Sequence, residues 1–268
     1  MPLREITECP ICGEMKSKHY LALDHRVISK CLECNHIYAS EFSAERINST
    51  YASDYHGSED NMNQWNTSNR NIWVGLCDCI SYYLKNENCT LLDIGAGTGG
   101  FAIILNELYP SVKLHLLETS PKAHPFLKKK LTANLYRNLS ELASMESSFD
   151  IITILQTLEH VEEPKSLCKS IYSLLKPHGV LLLTVPNNKS YQVYINAIKK
   201  SICFSNQTHI QFFDNSSVKN LLTACGFSSI RRVTQFGNGR KKHPIHDILQ
   251  WLLRLSGFST ELRFIAFK

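Results

Sequence analysis

Residues 90–105, TLLDIGAGTGGFAIIL, constrain the fold of this chain more than any other stretch. An apolar run over 91–94 stops at Gly95, and a second, over 101–105, starts after Gly100. Two such runs joined by a glycine-dense turn predict a strand, a tight turn and a helix. That arrangement aims backbone N–H groups and a helix N-terminus at a nucleotide. Gly95, Gly97 and Gly100 fit the G-x-G-x-x-G spacing of a dinucleotide site, while Gly95, Gly97 and Gly99 fit a tighter G-x-G-x-G. The glycines alone do not choose between them.

The carboxylates nearby discriminate better. Asp93 stands two residues before Gly95, at the carboxyl end of the first strand. A carboxylate there would repel a pyrophosphate held against the helix N-terminus, and suits a ligand carrying an ammonium group. Glu118 closes the next predicted strand, 113–117, and is placed to accept hydrogen bonds from ribose hydroxyls, a role shared by both nucleotide classes.

The pattern around this turn alternates strand and helix. Strands are expected at 91–94, 113–117, within NLYRNL, at FDIITIL and at HGVLLLTVP, with helices at 70–85, 101–108 and 164–175. This predicts an α/β fold with a parallel sheet covered on both faces. A helix at 216–225, a strand at SSIRRVTQF, an amphipathic helix at 244–255 and a last strand, ELRFIAF, complete the chain. Two consecutive strands closing the sheet are not expected of an ordinary dinucleotide domain.

Residues 1–40 form a separate predicted unit. CPIC and CLEC place Cys9, Cys12, Cys31 and Cys34 at C-x2-C-x18-C-x2-C, within the range of zinc ribbons. So small a unit has little core of its own, so metal binding would supply much of its folding free energy. Four thiolates leave no open position for water, so the zinc is expected to be structural. Residues 41–70, rich in turn formers, read as a linker or lid, with Tyr51, Tyr55 and His56 available to cover an acceptor. Residues 71–268 read as the main domain.

The chain has 268 residues and a formal charge of +5, with ten acidic residues against six basic ones in residues 1–60. The basic clusters of the remainder, at 128–130, 231–232 and 240–242, are short and fit solvated surface better than a nucleic-acid stripe. No apolar run approaches the roughly 20 residues of a membrane span, and the N-terminus has no secretory h-region. Unpaired cysteines scattered through apolar stretches point to a reducing, cytoplasmic setting.

Several ordered blocks resemble the class I S-adenosylmethionine-dependent methyltransferases, in the branch of ubiquinone-pathway and small-molecule enzymes. LLDIGAGTGG is similar to their first motif and LHLLETS to the acidic end of their second strand. FDIITILQTLEHVEEP, LLKPHGVLLLTVPN and HIQFFDNSSVKNLLTACGF are similar to three later blocks. The resemblance spans about residues 70–268 and implies a Rossmann-like seven-stranded sheet that binds S-adenosylmethionine. It implies that Gly95, Ala96, Gly97 and Gly99 approach the methionine portion, that Asp93 orients its ammonium and that Glu118 binds the ribose. It places Asn138 and Leu139 beside adenine, Leu155 and Gln156 beside the sulfonium, and Arg70 near the methionine carboxylate.

Methyl transfer needs an acceptor in line with the sulfonium and, for many acceptors, a base. His160, just past the fourth strand, and His209, in the segment before the last helical block, are the candidates, with Glu159 to orient a histidine or bind substrate. The alternative is that no side chain acts as base. The expected acceptor is a small molecule, such as a sugar, a glycan precursor or a secondary metabolite. An RNA acceptor and a non-catalytic binding module are the competing readings.

Overall fold

A computed structural model describes residues 3–23, 25–52, 57–85, 88–195, 201–234, 251–253 and 255–268. The chain opens with four strands, β1 (Arg4–Glu5), β2 (Ser17–Leu23), β3 (Arg26–Cys31) and β4 (Ile37–Phe42). Three helices follow: α1 (Ala44–Ala52), α2 (Glu59–Ser68) and α3 (Arg70–Ile80). The main body then runs β5 (Thr90–Ile94), α4 (Gly100–Leu108), β6 (Lys113–Leu117), α5 (Ala123–Lys130), β7 (Asn134–Tyr136), β8 (Phe149–Leu155), α6 (Pro164–Leu174) and β9 (Leu175–Pro186). It ends with α7 (Tyr191–Ile195), α8 (Ile202–Ser205), β10 (Gln211–Phe212), α9 (Asn215–Ala224), β11 (Ser228–Arg232) and β12 (Glu261–Phe267).

Seven strands form the main sheet in the order β11-β12-β9-β8-β5-β6-β7, with β12 alone antiparallel to its neighbours. The central strands are apolar along both faces because helices cover both. Leu91, Leu92, Ile151, Ile152, Leu181 and Leu182 are all essentially inaccessible to solvent. Burying each such side chain is worth about 1.5–3 kcal/mol. The chain leaves β5 in opposite directions toward β6 and β8, so a crevice opens at the carboxyl ends of these strands. The cavity described below opens at that crevice.

The N-terminal strands form a second sheet, β1-β4-β3-β2, and β10 from the main body joins it by pairing antiparallel with β4, Gln211 opposite Tyr38. Its core is shared as well. Cys9, Ile11, Cys31 and Tyr38 pack in one cluster with Phe213, Val218 and the central strands, while Ile28, Ile37 and Phe42 pack with Phe204, Ile210 and Phe212. A 40-residue unit buries too little surface to stand alone, and here it does so against the main body.

Residues 41–70, read from sequence as linker or lid, carry α1 and α2. The second has a Ser58 cap whose hydroxyl accepts from Asn61 N, and Glu59 and Asp60 in its first turn, where the helix dipole favours acids. Only Met62 of α2 is buried, which is why apolar periodicity did not reveal it. The strand expected at SSIRRVTQF is shorter, Ser228–Arg232. Of the helix expected at 244–255, residues 251–253 are helical, and most of it lies outside the described residues. Tyr55, His56, the 240–242 cluster and the Tyr51 side chain also lie outside them. Among the described residues no helix is long and apolar enough to cross a membrane.

Candidate active site

The glycine turn resolves the choice left open by spacing. Gly95, Gly97 and Gly99 have positive φ (74°, 55° and 71°), whereas Gly100 is already helical. The left-handed set is therefore G-x-G-x-G. At Gly95 a Cβ would lie 2.3 Å from the Thr157 hydroxyl oxygen, so the close approach of the loop after β8 also requires glycine there.

Asp93, 2% exposed, accepts a hydrogen bond from the Thr153 hydroxyl at 2.6 Å. Burial pushes its carboxyl up to about 7, against the Thr153 bond and with the like charge of Glu118 adding to the rise. A buried carboxyl in this state gains from an arriving cation.

Asp93, Gly95, Ala96, Gly97, Leu155 and Gln156 line one wall of a cavity of about 760 Å³. Gln156 adopts a left-handed φ of 50°, with its side-chain amide donating to Thr184 Oγ1 and Glu261 Oε2. A non-glycine residue held this way at the end of a central strand is local strain of the kind concentrated at functional sites.

The same cavity is lined by Glu159, His160 and His209, whose ligand-type atoms lie within 4.8 Å of one another. His160 Nδ1 donates to the Thr208 carbonyl at 3.1 Å and His209 Nδ1 to the Cys203 carbonyl at 2.8 Å. A carbonyl only accepts, so each ring carries its proton on Nδ1. Each presents an Nε2 lone pair toward Glu159 Oε1, at 3.8 Å for His160 and 3.9 Å for His209. Burial pushes His209 down to about 3, lowers His160 and pushes Glu159 up to about 8. The cluster is therefore one of neutral groups, with Glu159 Oε2 buried and without a hydrogen-bond partner.

The N-terminal sheet holds this cluster in place. Arg26, 4% exposed, donates to the carbonyls of Phe204, Asn206 and His209, gathering the segment that carries Ser205, Asn206 and His209 into the cavity wall. Gln211 joins His36 Nε2 to the Val161 carbonyl, one residue beyond His160.

Five sequence-selected residues stand elsewhere. Arg70 does not reach the cavity; its guanidinium pairs with Glu107 at 2.7 Å on the outer surface. Glu118 lies behind the turn, accepting from Gly97 N at 2.6 Å and Ser120 N at 2.7 Å, and in this arrangement bonds the loop. Asn138 caps the short turn Leu139–Leu142, and Leu139 packs on the core; neither lines the cavity. Gly99 serves as the left-handed cap of α4, outside the lining. Conversely, Asn61, Trp65, Asn69, Trp73, Asn206 and Glu261 line it without having been singled out. Trp73 falls within the helix expected at 70–85, but that expectation could not tell a core face from a cavity face.

Away from the cavity, Cys9, Cys12, Cys31 and Cys34 converge, with Cys9 and Cys34 Sγ 3.5 Å apart and Cys12 and Cys31 Sγ 3.6 Å apart. Tetrahedral zinc with Zn–S of about 2.3 Å requires S···S separations of about 3.8 Å, so this donor set fits the ion.

The family described as methyltransferase domain matches residues 68–231. Among curated relatives, the malonyl-[acyl-carrier protein] O-methyltransferase of Priestia megaterium is 29% identical over 146 residues, covering 52% of this chain and 53% of that protein. The ubiquinone biosynthesis O-methyltransferase of Dechloromonas aromatica is 38% identical over 132 residues, covering 42% and 52%. The chain thus spans about half the length of the curated relatives it matches. Among solved structures, an S-adenosylmethionine-dependent methyltransferase of Thermotoga maritima, a possible histamine N-methyltransferase by its description, superposes with a TM-score of 0.57 at 16% identity, covering 83% of this chain and 99% of that one. The phosphoethanolamine N-methyltransferase 2 of Haemonchus contortus, in complex with S-adenosylmethionine, gives 0.57 at 16%, covering 83% and 60%. At such identity these structures speak to the fold, while the match over 68–231 speaks to the family: the chain belongs to the class I S-adenosylmethionine-dependent methyltransferases.

Proposed function

We propose that the protein methylates a small-molecule acceptor held between the cofactor turn and the Glu159–His160–His209 cluster. The observation that carries this reading is that Asp93 and Gly95–Gly97 line the same cavity as these three side chains. Its volume, about 760 Å³, lies in the range of small-ligand sites. No lysine or arginine lines it among the described residues, which disfavours an acceptor presented on a phosphate backbone and so supports a small molecule over RNA.

The cofactor would bring a methyl group on a sulfonium that is already an activated leaving group. Asp93 and the turn bind its amino-acid end, and Gln156 and Leu155 flank the space beside them. His160 is the base: its Nδ1 is engaged by Thr208, so Nε2 is the atom that takes the acceptor's proton. Glu159 presents its unpartnered oxygen to a polar group of the acceptor. In the N-terminal unit, Cys9, Cys12, Cys31 and Cys34 hold a structural zinc that stiffens the sheet onto which Arg26 and β10 fasten the acceptor wall.

The test is transfer of a labelled methyl group from S-adenosylmethionine into cell extract fractionated into RNA, protein, glycan and small molecules. Label in the glycan or small-molecule fraction is expected. Label confined to RNA would overturn the acceptor assignment, and no label in any fraction would favour a non-catalytic binding role.

A further inference from the structure

Three carboxyls line the cavity, those of Asp93, Glu159 and Glu261, and no lysine or arginine lines it among the described residues. Two of the three have partners. Asp93 is the group for the cofactor's ammonium, and Glu261 accepts from Arg263 Nε and Gln156 Nε2. Glu159 is different. It is 1% exposed, and its Oε2 is buried without a hydrogen-bond partner. Burial, with the like charge of Glu261 adding to the rise, pushes its carboxyl up to about 8, the behaviour of an acid that lacks a countercharge. Arg26 does not supply one, because its guanidinium donates to the carbonyls of Phe204, Asn206 and His209 and is no part of the lining.

Two more acceptors stand beside this carboxyl. His160 and His209 each spend Nδ1–H on a backbone carbonyl and turn Nε2 toward Glu159, at 3.8 and 3.9 Å. The three acceptor atoms lie within 4.8 Å of one another, close enough for one nitrogen to reach them all with bonds of about 2.9 Å.

The number of donors then discriminates among ligands. A hydroxyl has one hydrogen to give and would satisfy one of the three acceptors. An ammonium group has three, and brings a positive charge to the carboxylate.

We propose that the methyl acceptor is a primary amine, bound as its ammonium ion by Glu159, His160 and His209 and methylated on that nitrogen. The proposal rests on the reading of this cavity as a methyl-transfer site and names its substrate class. His160 Nε2 takes one proton from the nitrogen, and Glu159, 3.8 Å away, carries the countercharge of the imidazolium. The lone pair so freed forms the nitrogen–carbon bond as the carbon–sulfur bond breaks, its electron pair passing to sulfur. Glu159 and His209 hold the two remaining N–H groups. The products are a secondary ammonium ion and an uncharged thioether, and His160 returns its proton to solvent.

The experiment gives the purified full chain S-adenosylmethionine with a carbon-13-labelled methyl group and the glycan and small-molecule fractions of cell extract. Each fraction is used untreated or acetylated beforehand with an N-hydroxysuccinimide ester, which blocks amines and spares alcohols. Acetylation should abolish transfer, and the methyl carbon of the untreated product should resonate in the N-methyl region of the spectrum. In Glu159→Gln, which keeps the size of the side chain and loses the charge, the apparent KM, read by diluting the active fraction, should rise at least about 30-fold. The acetylation arm uses the unmodified protein and so decides the matter even where the variant folds poorly. Transfer that survives acetylation, a methyl signal in the O-methyl region, or an unchanged KM in a folded Glu159→Gln would each overturn the proposal while leaving the protein a methyltransferase. Label entering neither untreated fraction would instead overturn the reading of the cavity, and the proposal with it.

Discussion

Asn66 and Thr98 exchange hydrogen bonds in both directions: Asn66 Nδ2 donates to the Thr98 carbonyl at 2.8 Å, and Thr98 Oγ1 donates to Asn66 Oδ1 at 2.6 Å. This pair pins α2 across the glycine turn and places Asn61 and Trp65 over the cavity. Helix α2 buries little apolar surface of its own, so polar bonds of this kind carry much of its attachment. Asn66→Ala should therefore loosen α2 without unfolding the main sheet. Losing two bonds worth about 0.5–1.5 kcal/mol each should speed S-adenosylhomocysteine release about tenfold. Stopped-flow release rates check this, and an unchanged rate would mean that α2 does not gate the cofactor.

How much of this was legible in the sequence follows from what each part rests on. The strands 113–117, 149–155 and 261–267 were readable to the residue because most of their side chains are buried on both faces, so each is a short, mostly apolar run. The turn was readable because left-handed backbone at Gly95, Gly97 and Gly99 nearly demands glycine. Arg70 misled because residue type and chain position say nothing of direction, and its helix turns it outward to Glu107. The joining of β10 to β4 was invisible, since two residues paired with a strand more than 160 positions earlier leave no local periodicity. Asn66 and Trp73 were hidden for the same reason, their roles being set by tertiary contact.

Asp93 makes cofactor affinity depend on pH. With its carboxyl pushed up to about 7, the protonated form predominates below that pH, and the cofactor's ammonium prefers the ionised form. Affinity for S-adenosylmethionine should be level above about pH 8 and fall up to tenfold per pH unit below 7, with proton release on binding. Asp93→Asn should bind more weakly and lose this slope. Titrations in buffers of different ionisation enthalpy measure the proton count; a pH-independent affinity would contradict the assignment.

Two buried carboxyls press the stability of the unliganded protein the opposite way. Asp93 and Glu159 have folded values raised to about 7 and about 8, while unfolded carboxyls ionise near 3.8 and 4.5. The folded state thus binds more protons in between, and the stability these two groups contribute is lost as pH rises through their folded values. His160 and His209 act in the other sense, because their folded values are lowered and the unfolded side chains protonate below about 6.5. Their contribution is lost as pH falls. From pH 6.5 to 8 the lowered thiol of Cys9 opposes the carboxyls, so the difference between two proteins is the readout: the melting temperature of Glu159→Gln should gain on that of the unmodified protein as pH rises through this window. A difference that stays constant with pH in calorimetric scans would show that Glu159 ionises normally.

Cys31→Ser should remove the zinc and affect more than the N-terminal sheet. Cys31 packs in the same cluster as Phe213 and Val218, and β4 is bonded to β10, so the loss should propagate into the acceptor wall. Hydrogen exchange should rise both at 26–42 and at 204–213, with S-adenosylhomocysteine affinity nearly unchanged because Asp93 and the glycine turn belong to the main sheet. Exchange confined to residues before 43 would make the ribbon an independent unit, and metal analysis finding no zinc in fresh, reduced protein would remove the site altogether.

His160 and His209 differ in what they can do despite their matching hydrogen bonds. Both are neutral with Nε2 as acceptor, but the His160 side chain is 13% exposed against 6% for His209, and the latter is fixed through its own carbonyl to Arg26. Burial holds His209 down to about 3, too weak a base to keep a proton at neutral pH, while burial lowers His160 against the raising effect of its bond to the Thr208 carbonyl. His160→Ala should therefore reduce turnover by about 10²–10⁴-fold, the usual contribution of a general base, with cofactor affinity unchanged. His209→Ala should raise the acceptor's KM more than it lowers kcat, because that ring shapes the wall. Both are measured on the acceptor fraction found by methyl-transfer screening, at saturating cofactor and across pH. The unmodified enzyme should lose activity as pH falls through the lowered pKa of His160, and the His160→Ala variant should lose that limb of the profile. If the variant keeps near-normal turnover at saturating acceptor, no side chain at this position takes the proton, and catalysis rests on holding the acceptor in line with the methyl group.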